Sequence, residues 1–344
     1  MRILLRATNW VGDVAMSLPA VRALRASFPK DEFAILARPW VADLYRLRPE
    51  VDEVLVEESS GAHAGTEGRR RLAAELRRRS FDRAVIFPTS FGTAWTLQQA
   101  GIPDRIGWAA EGRAPLLTKA LPQRLHRGRH QVWKHLLLAE AAGAARPAAP
   151  DASWDVSTET AAAGRALLSA TGLADRPFAA VHLASFAHAA KRWELPRFAA
   201  LLDRLAADQG LAAVLLGSAG EAGVNAEASA MSKRATLFDL SGRSTLPEVL
   251  GILSLSRLFV GNDSGIGHLA AAVGTPTVVV FGPTDPDATR PWDGPRGDGR
   301  PVRVAVARRR TVCAPCRFDV CPLDHRCMTG LDVETVLGAV ASVR

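Results

Sequence analysis

The sequence alternates short aliphatic runs with longer amphipathic segments, in two series along its 344 residues. This alternation is typical of strand–helix–strand units, whose parallel strands need helices on both faces of the sheet. In the first series the predicted strands span 3–6, 33–37, 54–56 and 84–87, and the helices start near residues 17, 69, 93 and 132. In the second series the strands span 179–182, 213–216, 237–240, 258–260 and 278–281, and the helices start near residues 196, 225, 246 and 266. The pattern therefore predicts an α/β protein with two parallel sheets.

A stretch of small residues and prolines, AAGAARPAAP at 141–150, separates the two series. Proline cannot continue a helix, and this composition suits a linker between domains. We therefore expect an N-terminal domain over residues 1–150 and a second domain over 151–330. A C-terminal helix over 331–344 is expected to pack back on the N-terminal domain.

The composition excludes several classes of protein. With 48% hydrophobic and 23% charged residues, the chain is neither disordered nor a coiled coil. Arg6 and Asn9 interrupt the first apolar run, and no run approaches the ~20 residues that span a bilayer, so we expect a cytoplasmic protein. The four cysteines lie in one short segment, which excludes a distributed disulfide framework.

The net charge of +8 lies entirely in the first half of the chain. Residues 1–150 contain 23 Lys and Arg against 15 Asp and Glu, whereas residues 151–344 contain 20 of each. The excess predicts an anionic partner for the first half, either nucleic acid, a membrane surface or a phosphorylated acceptor. Arginines at 69–71 and 77–79 contribute to it, although a solvated helix face would explain them equally well.

Ligands of open parallel sheets bind beyond the carboxyl ends of the strands, so the residues that follow each strand are the candidates for function. The first strand is followed by ATNWVGD at 7–13, which has one glycine and therefore lacks a dinucleotide-binding GxGxxG. Gly12 permits close backbone approach. Asp13 either caps the next helix, contributing ~1 kcal/mol, or acts as a general base.

Two loops of the second series carry groups suited to a nucleotide diphosphate. The loop after the strand at 179–182 contains Ser185, Lys191 and Arg192, whose positive charge would neutralise a leaving diphosphate unless it is only solvated. The next strand is followed by GSAGE at 217–221. Its glutamate, Glu221, either holds ribose hydroxyls or forms a helix capping box with Ser218.

The most specific stretch is GNDSGIGHLAAAVGTP at 261–276, followed by FGPTDP at 281–286. A buried strand here delivers Asn-Asp-Ser-Gly to a helix start, where free N–H groups favour phosphate. His268 lies one turn into that helix and is expected to face the same loop.

The cysteine segment can supply a tetrahedral metal site. Cys313, Cys316, Cys321 and Cys327 are accompanied by His325, and such ligands suit a structural zinc or iron ion. Their spacing does not match a standard zinc knuckle, so the metal content stays open.

Four motifs, in order, give the chain a resemblance to glycosyltransferase family 9, the ADP-heptose:lipopolysaccharide heptosyltransferases. They are N-W-V-G-D with M-S-L-P at 9–19, A-K-R-W at 190–193, the GNDSG stretch with F-G-P-T-D-P, and C-x-x-C-x-x-x-x-C-P-x-x-x-x-C-M at 313–328. The resemblance implies a GT-B fold, in which two Rossmann-like domains face each other across a cleft. The N-terminal domain would hold the acceptor and the C-terminal domain the sugar nucleotide.

By the same resemblance, Asp13 would deprotonate the acceptor hydroxyl, the heptose would be transferred with inversion, and Lys191 would neutralise the ADP leaving group without a divalent metal. The expected donor-binding residues are Ser185, Arg192, Gly217, Ser218, Glu221, Asn262, Asp263, Ser264, Gly265 and His268. The expected acceptor-binding residues are Asn9, Trp10, Gly12, Arg69 and Arg70. The expected partners are ADP-heptose, the anionic lipopolysaccharide core and the inner face of the inner membrane.

Two other functions stay open at this point. A sister glycosyltransferase with another nucleotide sugar or a protein acceptor would carry similar motifs. A non-enzymatic nucleic-acid binder is suggested by the basic charge, but 6% aromatic residues with a single Tyr offer no stacking platform.

Overall fold

The structure, a computed structural model, describes residues 1–173, 176–185, 189–316 and 318–344. The chain divides into two compact units, Met1–Asp151 and Ala152–Arg344. Between the last helix of the first unit and the first helix of the second, residues 142–157 contain neither helix nor strand. None of the helices in the described part of the chain is long and apolar enough to cross a membrane.

The first unit alternates strands and helices along the chain. Its elements are β1 (Arg2–Arg6), α1 (Val11–Ser27), β2 (Glu32–Ala37), α2 (Pro39–Arg46), β3 (Glu53–Val56), α3 (Gly65–Arg78), β4 (Arg83–Ile86), α4 (Phe91–Gln99), β5 (Asp104–Ala109), β6 (Lys119–Pro122) and α5 (Gln131–Ala141).

The second unit repeats this alternation. Its elements are α6 (Thr158–Ala170), β7 (Phe178–His182), α7 (Leu195–Gln209), β8 (Ala212–Leu215), α8 (Ala222–Met231), β9 (Leu237–Asp239), α9 (Leu246–Leu255), β10 (Leu258–Asn262), α10 (Gly265–Val273), β11 (Thr277–Phe281), α11 (Pro286–Thr289), β12 (Val304–Arg308), α12 (Arg326–Thr329) and α13 (Val333–Ser342).

Within the described residues, each unit contains one six-stranded parallel sheet. The orders are β3-β2-β1-β4-β5-β6 and β12-β11-β10-β7-β8-β9. Counted from the first strand of each unit, both orders are the doubly wound Rossmann order. The direction of winding reverses at β1, which lies between β2 and β4, and at β7, which lies between β8 and β10. The crevices beside these two strands are therefore the expected ligand sites.

All nine predicted strands are present, but the structure adds β5, β6 and β12, which sequence analysis missed. Each of these three strands contains a charged residue, and their strand conformation depends on pairing: β5 pairs with β4 and β6, and β12 pairs with β11. The first helix begins at Val11 rather than near residue 17. Packing of its buried face outweighs the loop-like composition of its first turn.

Two helices of the second unit cross with their backbones in contact. A Cβ atom at Gly251 of α9 would stand 2.2 Å from the carbonyl oxygen of Thr160, and one at Gly164 of α6 would stand 2.5 Å from the carbonyl carbon of Gly251. Only glycine at both positions permits this approach. The pair of helices therefore packs more closely than ordinary side chains allow.

The C-terminal helix α13 belongs to the second unit. Its Val336 and Val340 are buried in the same core as Ala307 of β12 and Trp193. The helix covers an apolar face of the second sheet, because β11 and β12 present buried aliphatic side chains there. The expected packing of this helix on the N-terminal domain stays a prediction.

Candidate active site

A polar cavity of about 210 Å³ opens at the carboxyl ends of β1, β4 and β5, at the crevice where the first sheet reverses its winding. It is lined by Thr8, Asn9, Trp10, Asp13, Phe87, Pro88, Thr89, Ser90, Glu111, Gln131, Lys134 and His135. Asn9, Trp10 and Asp13 were predicted from sequence to form a site. The structure brings them together with residues that follow β4 and β5 and with residues of α5, which were not predicted.

Asp13 lies in the first turn of α1, and Trp10 rather than Asp13 occupies the N-cap position. A carboxylate in the first turn is favoured by the free N–H groups and the dipole of the helix. Gly12 is buried beside it. The side chain of Asp13 lines the cavity, where a general base would have to be.

A buried arginine holds the loop that leads to Asp13. Arg6, 1% exposed, donates to Oε2 of Glu57 at 2.6 Å and to Oδ1 of Asn9 at 3.2 Å. The indole N–H of Trp40 donates to the carbonyl oxygen of Asn9 at 2.7 Å. Arg38 lies 3.3 Å from Glu57 and completes the cluster. Asn9 therefore fixes the loop through its side chain and its backbone.

The start of α5 adds a cation and a neutral histidine to the cavity. Burial lowers the pKa of the Lys134 ammonium, and the nearby carboxylate of Asp13 opposes this shift. His135 is 3% exposed, and burial lowers its pKa to about 3. The imidazole packs edge-on against Phe87, with ring centroids 5.3 Å apart. His135 is therefore neutral at physiological pH.

The two predicted acceptor arginines differ in their surroundings. The guanidinium carbon of Arg69 would lie 2.9 Å from a Cβ at Gly92, so this side chain covers the start of α4, next to the cavity residue Ser90. Arg70 is 67% exposed and lies 3.7 Å from Glu67 on its own helix. Arg69 is near the cavity residues, whereas Arg70 lies on a solvated helix face.

In the second unit, the residues predicted to bind the donor gather at the carboxyl ends of β7 and β10. Nζ of Lys191 lies 2.8 Å from Oδ2 of Asp263. The hydroxyl of Thr284 donates a hydrogen bond to the same oxygen at 2.7 Å. The hydroxyl of Ser185 donates to the carbonyl oxygen of Asp263 at 3.4 Å. Arg192 is exposed and donates to the carbonyl oxygen of Ser185.

Asn262, which was predicted to bind the donor, is completely buried. Its Oδ1 accepts from the backbone N–H of Trp193 at 3.0 Å, and its Nδ2 donates to the carbonyl oxygen of Leu183 at 2.6 Å. These bonds hold both ends of the loop that carries Lys191. Asn262 therefore positions the loop, because its side-chain amide already forms hydrogen bonds with the loop backbone.

Glu221 forms the capping box that sequence analysis considered for it. Its Oε2 accepts from the backbone N–H and the hydroxyl of Ser218, at 2.7 and 2.9 Å. His182, at the end of β7, lies 3.6 Å from the same oxygen. Burial disfavours ionisation, but the bonds from His182 and Ser218 outweigh it and lower the pKa of Glu221 to about 2. A Cβ at Gly217 would lie 3.2 Å from this carboxylate.

Helix α10 starts at Gly265, directly after the Lys191–Asp263 pair. Ser264 occupies the N-cap position, yet its hydroxyl makes no cap bond and is buried without a hydrogen-bond partner among the residues that the structure describes. His268 is buried one turn further on. The first N–H groups of α10 are therefore not capped by the Ser264 side chain, which leaves them suited to an anion.

The cysteine segment holds the loops around Lys191. Nε2 of His325 lies 2.6 Å from the carbonyl oxygen of Ala190, and the backbone N–H of Cys316 donates to the carbonyl oxygen of Pro283 at 2.9 Å. The free thiols are Cys313, Cys316, Cys321 and Cys327. Burial, together with the other three cysteines, raises the pKa of Cys327. In the described part of the chain, no group of three or more His, Cys, Asp or Glu is arranged to hold a metal ion, and a structural metal here stays a prediction.

Sequence analysis missed Arg6, Glu57, Glu111, Lys134, His135 and Thr284. Glu57 and Glu111 follow β3 and β5, so the rule that functional residues follow strands could have found them, had β5 been predicted. Lys134 and His135 lie within a helix, and no local signal separates them from ordinary helix residues.

Comparison with known proteins identifies the family. The model of glycosyltransferase family 9 (heptosyltransferase) matches residues 69–320. The chain belongs to glycosyltransferase family 9. This family membership decides between the transferase and the nucleic-acid binder in favour of the transferase, and it confirms the predicted family.

The relatives of this family 9 chain include two lipopolysaccharide heptosyltransferases 2. That of Escherichia coli strain K12 is 30% identical over 307 residues, and that of Salmonella typhimurium strain LT2 is 32% identical over 299 residues. Each alignment covers 85% of both chains. The solved structure of E. coli ADP-heptose LPS heptosyltransferase II has a TM-score of 0.82 and 28% identity, covering 100% of this chain and 98% of that chain. The predicted GT-B fold class is confirmed, and so is the predicted likeness to heptosyltransferase II.

Proposed function

We propose that this family 9 enzyme transfers heptose from ADP-L-glycero-D-manno-heptose to the lipopolysaccharide inner core, as a heptosyltransferase II does. The observation that carries the proposal is the similarity, along 85% of both chains, to two enzymes named lipopolysaccharide heptosyltransferase 2. The two polar sites support it, because each lies at the crevice where a doubly wound sheet binds its ligand.

In the proposed reaction, Asp13 takes the proton from an acceptor hydroxyl. The acceptor oxygen then attacks the anomeric carbon of the heptose, opposite the bond to the diphosphate, so the configuration is inverted as that bond breaks. The bonding electrons leave with ADP, whose additional negative charge is neutralised by Lys191 and by the N-terminal end of α10. These charges supply what a divalent metal would otherwise provide.

The donor is proposed to bind the second unit. Lys191, Asp263, Ser264, Gly265 and His268 would surround the diphosphate and heptose. Ser185, Arg192, Gly217, Ser218 and Glu221 would contribute from the neighbouring loops. Since Glu221 already accepts two bonds from Ser218 through Oε2, its contact with the nucleoside would use the other oxygen.

The acceptor is proposed to bind the first unit, where Asn9, Trp10 and Gly12 form the loop before Asp13. The excess of positive charge in residues 1–150 suits the anionic lipopolysaccharide core and the inner face of the inner membrane. Arg69, beside the start of α4, is the better placed of the two predicted arginines.

The test incubates the protein with ADP-heptose and a panel of O-deacylated inner-core acceptors, and measures the product mass. The expected result is the gain of one heptosyl unit on an acceptor that already carries the first heptose. Parallel incubations with other nucleotide sugars and with protein acceptors distinguish a sister transferase. Transfer only in those incubations would contradict the proposal.

A further inference from the structure

One position on the buried face of α5 carries an imidazole where an aliphatic side chain would pack better. Val132, Leu136 and Ala139 lie on that face in the core, and His135 is buried among them. Neither ring nitrogen of His135 has a hydrogen-bond partner within the described residues. Buried polar atoms without partners are rare in folded proteins, and each calls for an explanation. A bound hydroxyl group is one partner that would satisfy such a ring.

His135 borders the same cavity as Asp13. The edge of its ring contacts Phe87, at an interplanar angle of 88°, and this contact fixes the orientation of the imidazole. Glu111, which also lines this cavity, has a φ of 48°, a left-handed conformation that is unusual for residues other than glycine. Backbone strain of this sort persists where surrounding structure enforces it, often at ligand sites.

The chemistry of the cavity suits a sugar. Thr8 and Ser90 provide hydroxyl groups, Gln131 an amide and Trp10 an aromatic face. With about 210 Å³, the cavity is smaller than the ~300–1,000 Å³ of pockets for drug-sized ligands and suits a single sugar unit. A neutral imidazole donates through one nitrogen and accepts through the other, which matches a hydroxyl group.

We propose that His135 binds a hydroxyl group of the acceptor sugar and thereby positions that sugar beside Asp13. The proposal rests on the proposed function, since it assigns the acceptor to this cavity. It adds a binding residue that lies on a helix, more than one hundred residues along the chain from the loop of Asp13.

The test is His135→Phe, which removes both nitrogens but keeps a planar ring against Phe87. We expect the KM for the core acceptor to rise about 3- to 10-fold, as for the loss of one neutral hydrogen bond, with the KM for ADP-heptose unchanged. The melting temperature is expected to stay the same or to rise, because the variant no longer buries unpaired polar atoms. An unchanged acceptor KM in a folded variant would overturn the proposal.

Two further variants keep the test decisive if the phenylalanine does not fit. His135→Asn places an amide nitrogen near Nδ1 and His135→Gln places one near Nε2, so one of them should restore acceptor affinity in part. His63→Phe is the matched control, because His63 is buried in the same unit, has Glu58 and Glu75 as partners and lies outside the cavity. It should lower the melting temperature and leave the acceptor KM unchanged.

Calorimetric titration of the wild type and of His135→Phe with the core acceptor separates this proposal from the proposed function. Binding that is weakened in His135→Phe supports the role of His135 even if no heptose is transferred. Turnover by the wild type with equal acceptor binding in the variant would overturn the role of His135 and leave the proposed function standing. A wild type that neither binds nor modifies the acceptor would overturn both.

Discussion

Nζ of Lys191 lies 2.8 Å from Oδ2 of Asp263, and the two side chains are only 19% and 7% exposed. The carboxylate is anchored by Thr284, so it keeps the ammonium at the carboxyl end of β10, beside the start of α10. The ammonium of Lys191 therefore lies beside the N-terminal end of α10, where we propose that the diphosphate binds.

From this arrangement we expect Lys191→Ala to lose most of the rise in melting temperature that ADP gives the wild type. The variant removes the positive charge that we propose faces the diphosphate, whereas the backbone of the loop is still held by Asn262. Thermal-shift titration with ADP measures the effect. Lys233→Ala, at an exposed lysine of the same unit, is the control and should keep the full shift. An equal shift in both variants would place the phosphate elsewhere.

Asp13→Asn tests the proposed base. The amide has almost the shape of the carboxylate but cannot accept the proton, so we expect kcat to fall ~10²- to 10⁴-fold while the melting temperature and ADP affinity persist. If Asp13 only stabilises the first turn of α1 through its charge, Asn should lower the free energy of unfolding by about 0.3–1 kcal/mol and leave turnover nearly unchanged. Retention of more than about a tenth of wild-type turnover would contradict the base assignment.

Lys134→Met tests the charge beside that base. Lys134 shares the cavity with Asp13 and Glu111, and Arg113 lies close enough to lower the pKa of the Lys134 ammonium further. Loss of a neighbouring cation disfavours an ionised carboxyl, so the acid limb of the kcat–pH profile should move up by as much as about one pH unit. Lys30→Met, at an exposed lysine, should leave the profile unchanged. A lower kcat without movement of the acid limb would indicate a structural role alone.

The buried His135 predicts how stability depends on pH. The unfolded imidazole takes up its proton near pH ~6.5, whereas burial lowers the pKa in the fold to about 3. Between these values the unfolded state binds more protons, so this residue should cost up to about 1.4 kcal/mol of stability per pH unit as the pH falls. Denaturant melts at pH 7 and pH 5 should therefore show a smaller acid loss for His135→Phe than for the wild type. Parallel losses would show that His135 is not buried in neutral form.

Gly251→Ala tests the contact between α6 and α9. The added methyl would meet the carbonyl oxygen of Thr160, so the helices must separate, at a cost of about 1–3 kcal/mol in the free energy of unfolding. Denaturant unfolding measures this cost. Gly223→Ala on α8, where the added Cβ would meet nothing within 4 Å, is the control and should be neutral or slightly stabilising. Equal stability of the two variants would contradict the close crossing.

The sequence alone determined the two parallel sheets, because aliphatic runs of strand length alternate with amphipathic segments, as in sheets that are covered by helices. It also located Asp13, Lys191 and Asp263, since all three follow predicted strands. Strands β5, β6 and β12, of which β6 and β12 lie at sheet edges, escaped prediction because their conformation comes from pairing, and pairing is not a local property.

Only the tertiary structure decided how the predicted polar residues are used. Asn262 and Asp263 are neighbours in one motif. The side-chain amide of Asn262 forms hydrogen bonds with the backbone of the Lys191 loop, whereas the carboxylate of Asp263 pairs with the lysine itself. Lys134 and His135 reach the cavity of Asp13 only because α5 packs against α1. Hydrogen-bond partners and burial depend on contacts between distant segments, so the sequence specifies them only through the completed fold.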